Sequence, residues 1–429
     1  MIQVYIDPTY KTCKSILNRS SKKISQLTDL VFPIINDVKN YGDTAVRSYT
    51  RKYDNVNVKN LQVTEEDFQK ANMKVSNSLK KSIEIAHKNI EFFHQKQVHE
   101  EKKIEVTTGV FCWRKSIPIE KVGLYIPGGS APLLSTVLML GVPGKIAGCK
   151  NIILCSPPNK NGDIHPSILY TARYIGITSV YKVGGVQAIA AMAYGTESIP
   201  SVYKIFGPGN SYVTIAKQIV SHNGIVSIDI PAGPSEIVIM ADEKANPEYV
   251  ASDLLSQSEH DPESYILLVT TNNKFWIEKV KEELKKQFSQ ITEKQDIIEK
   301  SIKNSKMIVC SSLKKCMDLI NQIAPEHLII NCNDSSYWSK KVINAGSVFL
   351  GNYSPVSVGD YASGTNHVLP TYGYAKSYSG VSVDSFVKKI TFQKISKEGL
   401  QNLSKCVNIL SSEEGLIAHQ KSINIRLQK

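Results

Sequence analysis

The 429-residue chain contains no Cys-x-x-Cys pair among its 8 cysteines, which removes the usual signature of a cysteine-bound zinc ion or a redox dithiol. A chain of this size does not need a disulfide scaffold. Cys13, Cys112, Cys149, Cys155, Cys310, Cys316, Cys332 and Cys406 are therefore read as reduced thiols of a cytosolic protein. No apolar run reaches the roughly 18 residues of a membrane span. The opening Met1-Ile2-Gln3-Val4-Tyr5-Ile6-Asp7 lacks the basic stretch and apolar core of a secretory signal. A cytoplasmic location, with no membrane partner, is expected. No turn reads Gly-x-Gly-x-x-Gly, so a dinucleotide site has no direct fingerprint.

What is present is ordinary for a globular chain: 42% apolar and 21% charged residues, enough for two or three domains with large cores. The net charge of +12 raises nucleic acid as a partner. The lysines of 274–286 and 294–306 argue against it, because they alternate with glutamates and no aromatic residues interleave with a basic stripe. They read as solvated helix faces.

The pattern predicts α/β architecture: two Rossmann-like parallel-sheet domains, a helical N-terminal region and a small C-terminal arm. Residues 1–121 form the helical region joining the first domain, with helical spacing over 24–38 and 78–99 and a β-like stretch over 104–117. Residues 122–234 carry strand-like runs at 122–126, 152–155, 180–183 and 202–206, each followed by a turn and a helix. Residues 235–370 repeat the rhythm with strands at 237–240, 265–269, 307–310, 328–330 and 347–350. A cleft at the strand C-termini is expected. Residues 371–429 turn to Gly, Tyr and Ser and end in amphipathic helices over 397–410 and 413–424, read as an arm packed on a neighbour.

Three glycine turns follow strands of the first domain. Glycine there lets backbone N–H groups approach a phosphate or a flat cofactor, or simply serves the turn's geometry. The second strand ends Ser156-Pro157-Pro158, without the acid that binds a ribose. Among the histidines, His87 and His94 sit in a Lys- and Glu-rich helix and read as solvated. His260 lies three residues after Gln257, on one helix face. His367 lies in the polar loop that begins Gly359-Asp360, and His419 lies near the chain end. Two His, an Asp and a weaker oxygen donor suit four-coordinate zinc, although each His alone is equally a polar core or surface residue. Glu326-His327 falls at a helix-to-strand corner. An imidazole titrates near 6.5 and can take a proton, and a neighbouring carboxylate can orient water; an ordinary corner pair fits the spacing as well.

Several segments together resemble one family, the L-histidinol dehydrogenases of histidine biosynthesis. They are Val122 to Thr136 with Tyr-Ile-Pro-Gly-Gly, Gly184 to Ala190, Lys204 to Asn210 with Phe-Gly-Pro-Gly-Asn, and Asp229 to Glu236 with Ala-Gly-Pro-Ser-Glu. Leu254 to Pro262, Ala324 to Leu328, Gly359 to Thr371 and Glu414 to Arg426 follow in the same order. The resemblance runs from about residue 25 to the end. Val356 departs from it, standing where the family usually carries Glu.

The resemblance implies oxidation of L-histidinol through L-histidinal to L-histidine with two NAD reduced. It implies zinc on Gln257, His260, Asp360 and His419, and NAD contacts at Tyr125, Gln187 and Asn210. Ser235, His367 and Glu414, with the zinc ligands and His327, match the substrate contacts, and Glu326 and His327 the acid–base residues. It also implies a homodimer whose C-terminal arm carries Glu414 and His419 into the partner's site. In this reading zinc is a template for the substrate. Two other classes remain for the same residues: a zinc hydrolase with Glu326 activating water, and a nucleotide-binding module without catalysis.

Overall fold

The computed structural model describes residues 2–9, 12, 24–99, 101–128, 131–230, 233–271 and 274–428. Strand β1 (Gln3–Ile6) precedes three helices, α1 (Ile24–Asp54), α2 (Glu65–Lys74) and α3 (Asn77–Gln95). Their starts follow from local chemistry. Thr64 and Asp67 form a reciprocal capping box at α2, and the Ser76 hydroxyl accepts from Leu79 N at α3. Helix α1 kinks at Gly42, with φ of 51°. The Glu197 carboxylate packs into this kink and accepts from Asp43 N at 2.7 Å, tying α1 to the first sheet domain.

Strands β2 (Ile104–Thr107) and β3 (Val110–Pro118) lead into the first α/β unit. That unit runs β4 (Lys121–Tyr125), α4 (Leu134–Ala147), β5 (Asn151–Ser156), α5 (Pro166–Tyr174), β6 (Ser179–Lys182), α6 (Gly185–Tyr194), β7 (Lys204–Phe206), α7 (Ser211–His222) and β8 (Ser227–Ile228). Its strands are all parallel, in the order β6-β5-β4-β7-β8.

The second unit runs β9 (Glu236–Ala241), α8 (Pro247–Ser258), β10 (Tyr265–Thr271), α9 (Lys274–Gln290), α10 (Gln295–Asn304), β11 (Lys306–Cys310) and α11 (Leu313–Ile323). It continues with β12 (His327–Asn331), α12 (Ser335–Ser339), β13 (Ser347–Leu350) and α13 (Val356–Tyr361). Its parallel order is β1-β11-β10-β9-β12-β13. Apart from the added β1, both sheets wind alike: two steps outward from the central strand, then a return to its other side. Their faces alternate as period-two strands require. Ile237 and Ile239 enter one core and Val238 and Met240 the other, just as Ile153 and Cys155 alternate with Ile152 and Leu154 in the first sheet.

Two strands depart from the sequence expectation. The opening segment, read as part of a helical region, contributes β1 to the edge of the second sheet, pairing Gln3 with Lys306. Near the other end, β14 (Val387–Ile395) pairs antiparallel with β3 over nine residues, from Val387–Pro118 to Ile395–Val110. Both find their partners far away in sequence, where local periodicity carries no information. Helices α14 (Lys397–Glu413) and α15 (Ile417–Leu427) follow as the expected arm. Among the described residues no helix is long and apolar enough to cross a membrane. The seven described cysteines are all unbridged; Cys13 lies outside the described residues.

Candidate active site

Helix α11 stops at Ala324, whose φ of 52° turns the chain sharply toward β12. The turn sets Glu326 opposite Glu236, one residue before the β9–β12 register begins at Ile237–His327. Both side chains of the pair then anchor on the backbone of Glu236. Glu326 Oε2 accepts from Glu236 N at 2.7 Å, and His327 Nδ1 donates to Glu236 O at 3.0 Å. A carbonyl only accepts, so Nδ1 carries the hydrogen and Nε2 becomes the working atom. Nε2 is buried without a hydrogen-bond partner, 3.5 Å from Asp360 Oδ1. Burial, the largest single influence, pushes the imidazole toward its neutral form. The negative charges of Glu326 and Asp360 together outweigh burial and hold its pKa well above the ordinary value.

Sequence reading expected the cleft at the strand C-termini of both sheets. In the second sheet the reverse holds. Ser235, Glu326 and His327 stand at the N-terminal ends of β9 and β12, and this edge meets the first unit. His367 makes the junction: Nδ1 donates to Asp360 O at 2.8 Å, and Nε2 lies 3.2 Å from the Thr136 hydroxyl at the start of α4. Burial lowers its pKa and keeps the ring neutral, so Nε2 accepts from Thr136. Gly233 N donates to Thr371 Oγ1 at 2.6 Å, and Tyr372 N to Glu236 Oε1 at 2.8 Å, closing the same seam.

Of the expected zinc set, Gln257 is buried in the last turn of α8 and His260 is exposed two residues beyond it. Asp360 lies near the end of α13. Burial works to raise the Asp360 carboxyl, but its interaction with His327, with a smaller part from His260, prevails and holds it below the usual carboxylate range. His260 is therefore near enough to act on Asp360. Among the described residues no three His, Cys, Asp or Glu side chains gather as a metal group. His419 and Glu414 are not brought to this cluster within one chain. Both are exposed on the arm, where Glu414 N donates to Leu410 O and His419 N to Leu416 O. Val356, where the resemblance led to an expectation of Glu, is buried with Ile329 in an apolar cluster against which Phe349 packs.

Of the expected NAD contacts, Tyr125 and Asn210 sit at the C-terminal ends of β4 and β7, where the first sheet changes winding direction and ligands commonly bind. Tyr125 ends β4, and its phenol oxygen accepts from Gly185 N at 3.0 Å, at the start of α6. Burial pushes the phenol up to about 12, so it stays protonated and keeps a hydrogen to donate. Gln187 is buried in the first turn of α6; Asn210 is exposed and caps α7 by accepting from Val213 N at 3.1 Å.

The glycine turns themselves are packed against protein. A Cβ on Gly128 or Gly184 would lie 2.4 Å from Pro157, and one on Gly207 would lie 2.0 Å from Tyr125 O. These glycines serve close packing between loops. Gly207 is further held by a buried ion pair, donating N–H to Asp229 and accepting from Lys217 Nζ at 2.8 Å, while Lys217 and Asp229 pair with each other. With φ of 123° and a backbone oxygen in the way, Gly207→Ala is expected to cost on the order of 3–5 kcal/mol. Thermal unfolding of the purified variant checks this; an unchanged midpoint would refute the packing role.

Sequence reasoning missed Glu236 and Thr136 as parts of the site. A Glu opening an otherwise apolar strand was the available signal, since glutamate is rarely buried without a partner. His94, read as solvated, is fully buried: Nδ1 donates to Ile90 O at 2.8 Å, and Asn366 Nδ2 lies 3.4 Å from Nε2. Burial lowers its pKa and keeps it neutral.

A family profile described as histidinol dehydrogenase matches residues 17–427. A histidinol dehydrogenase of Bacteroides fragilis is 51% identical over 422 residues, covering 98% of either chain. A chloroplastic histidinol dehydrogenase of Arabidopsis thaliana is 46% identical over 96% of this chain and 88% of its own. The crystal structure of histidinol dehydrogenase from Elizabethkingia anophelis superposes with a TM-score of 0.96 at 48% identity, over 100% of this chain and 98% of that one. Matched along almost its whole length in sequence and in fold, the chain belongs to the histidinol dehydrogenase family, a family of oxidoreductases.

Proposed function

We propose that this chain oxidises L-histidinol through L-histidinal to L-histidine, the last step of histidine biosynthesis, reducing two NAD in turn, with zinc positioning the substrate. The single observation that carries the chemistry is His327: Nδ1 fixed on a carbonyl, Nε2 buried, free and beside Asp360. Gln257, His260 and Asp360 supply oxygen, nitrogen and oxygen donors, a set suited to zinc. Zinc held there would supply a Lewis acid for the lone pairs of the substrate's amine and imidazole, and NAD held against Tyr125, Gln187 and Asn210 would supply the hydride acceptor. His419 of a second copy completes the donor set, and Glu414 of that copy contacts substrate, so the working unit is a homodimer. Ser235 and His367 line the substrate's side of the same seam. The protein acts in the cytoplasm.

His327 Nε2 takes the alcohol proton as hydride leaves the carbinol carbon, giving the aldehyde. Glu326 then takes a proton from water, which adds to the aldehyde carbon while His327 returns its proton to the carbonyl oxygen, so that the hydrate forms and Nε2 is free again. His327 takes the hydrate's hydroxyl proton as the second hydride leaves, giving the acid. Enclosure between the two domains keeps the aldehyde from escaping between steps.

The test is a progress curve. Limiting L-histidinol with excess NAD is expected to yield two NADH per substrate, read at the NADH absorbance band, with L-histidine as product. A hydrolase or a binding module yields none. A stoichiometry of one, ending at the aldehyde, would remove Glu326 from its proposed role.

A further inference from the structure

Asp54 is the last residue of α1, and its surroundings disfavour a carboxylate. Its Oδ2 is buried and has no hydrogen-bond partner. It sits at the negative end of a long helix dipole. The cations of the same turn are turned elsewhere: Lys52 lies over the rings of Tyr49 and Tyr53, 5.9 and 5.3 Å from their centroids, and Arg51 is exposed. Burial alone pushes the carboxyl up to about 6. A carboxyl kept under such a penalty is a candidate ligand contact.

Its place in the fold says which ligand. Beyond α1 the chain runs along the β6 edge of the first sheet: Val56 and Val58 share an apolar cluster with Tyr125, Cys155 and Tyr181, and Leu61 O accepts from Lys182 N at 2.7 Å. The Asp54 charge is felt at the Tyr125 phenol, which itself meets the start of α6. In parallel sheets that bind dinucleotides, an acid at the end of the second strand accepts the ribose hydroxyls. Here that strand is β5, and it runs into Ser156-Pro157-Pro158 with no acid.

We propose that Asp54, carried in from α1, takes over this part: its carboxylate accepts hydrogen bonds from the vicinal hydroxyls of a ribose in the dinucleotide bound against Tyr125. The inference rests on the NAD reading above and adds a residue to it.

The experiment compares wild type with Asp54→Asn and Asp54→Ala as full-length protein. Calorimetric titration uses NAD, ADP and nicotinamide mononucleotide as separate probes, without substrate. Thermal unfolding is measured without ligand. The dissociation constant for NAD is expected to rise about 10- to 100-fold in Asp54→Ala and less in Asp54→Asn. The ligand-free unfolding temperature should be unchanged or higher, because a buried unpaired carboxylate has gone. Weakened ADP binding alone assigns the adenosine ribose; weakened mononucleotide binding alone assigns the nicotinamide ribose. NAD binding within twofold of wild type in both variants would overturn the proposal, as would a loss of binding that merely follows a lower unfolding temperature. If wild type binds none of the three probes, the cofactor reading falls and this inference falls with it.

Discussion

Replacing His327 with Asn is expected to lower turnover by about 10²- to 10⁴-fold, the usual worth of a general base, while the protein stays folded and the proposed zinc binding matches that of wild type. The choice of Asn matters. Its amide can still donate to Glu236 O, the partner of Nδ1 at 3.0 Å, so the local packing survives. What disappears is Nε2, the buried nitrogen with no other partner. Steady-state NADH production measures the loss, and elemental analysis of the same sample measures the zinc. Near-normal turnover with full zinc would sink the base role.

The pH profile offers a second readout. A base works only after it loses its proton, and the Glu326 charge keeps the His327 pKa above the ordinary value. Activity should therefore climb as pH rises beyond about 6.5, the free imidazole value, and the variant should lack that limb. A wild-type profile flat from acid to alkaline pH would contradict the assignment.

Mixing a His419→Ala protein with a His327→Asn protein is expected to restore activity from near zero to about one quarter of wild type. Each site is taken to combine the core of one chain with the arm of the other. A hybrid dimer then holds one doubly damaged site and one intact site, and half of randomly exchanged dimers are hybrids. The arm supports this division. Ile409, Leu410, Ile417 and Ile425 are 59, 60, 63 and 66% exposed, an apolar load that a second copy would cover. Subunit exchange under mild denaturant, separation of tagged hybrids and a rate assay decide the matter. No regain in purified hybrids would mean that each site is built within one chain.

Much of this molecule was legible in its residues. The strands of both units lie close to their expected positions because buried parallel strands are short apolar runs bounded by turns, and that pattern is local. The cluster of Glu326, His327 and Asp360 was reached through the order of motifs, which no single spacing carries. Other features had no local trace. β1 and β14 are not read as strands, because their partners, β11 and β3, lie far away in sequence. His94 looked solvated among lysines and glutamates until Asn366 and the core closed over it. The glycine turns fitted either a phosphate or mere turn geometry, and Pro157 and Tyr125 fill the space where side chains on Gly128, Gly184 and Gly207 would be.

By itself, then, the sequence determined the alternation of strands and helices, the two-sheet plan and the family, since these depend on period, turn chemistry and motif order. Only the tertiary structure decided which edge of the second sheet carries the chemistry. It seated the Glu326–His327 pair on the backbone of Glu236, freed Nε2, and brought Asp54 from a distant helix toward Tyr125. The physical reason is that working geometry depends on hydrogen bonds and burial between segments far apart in sequence, and such contacts leave no periodic mark along the chain.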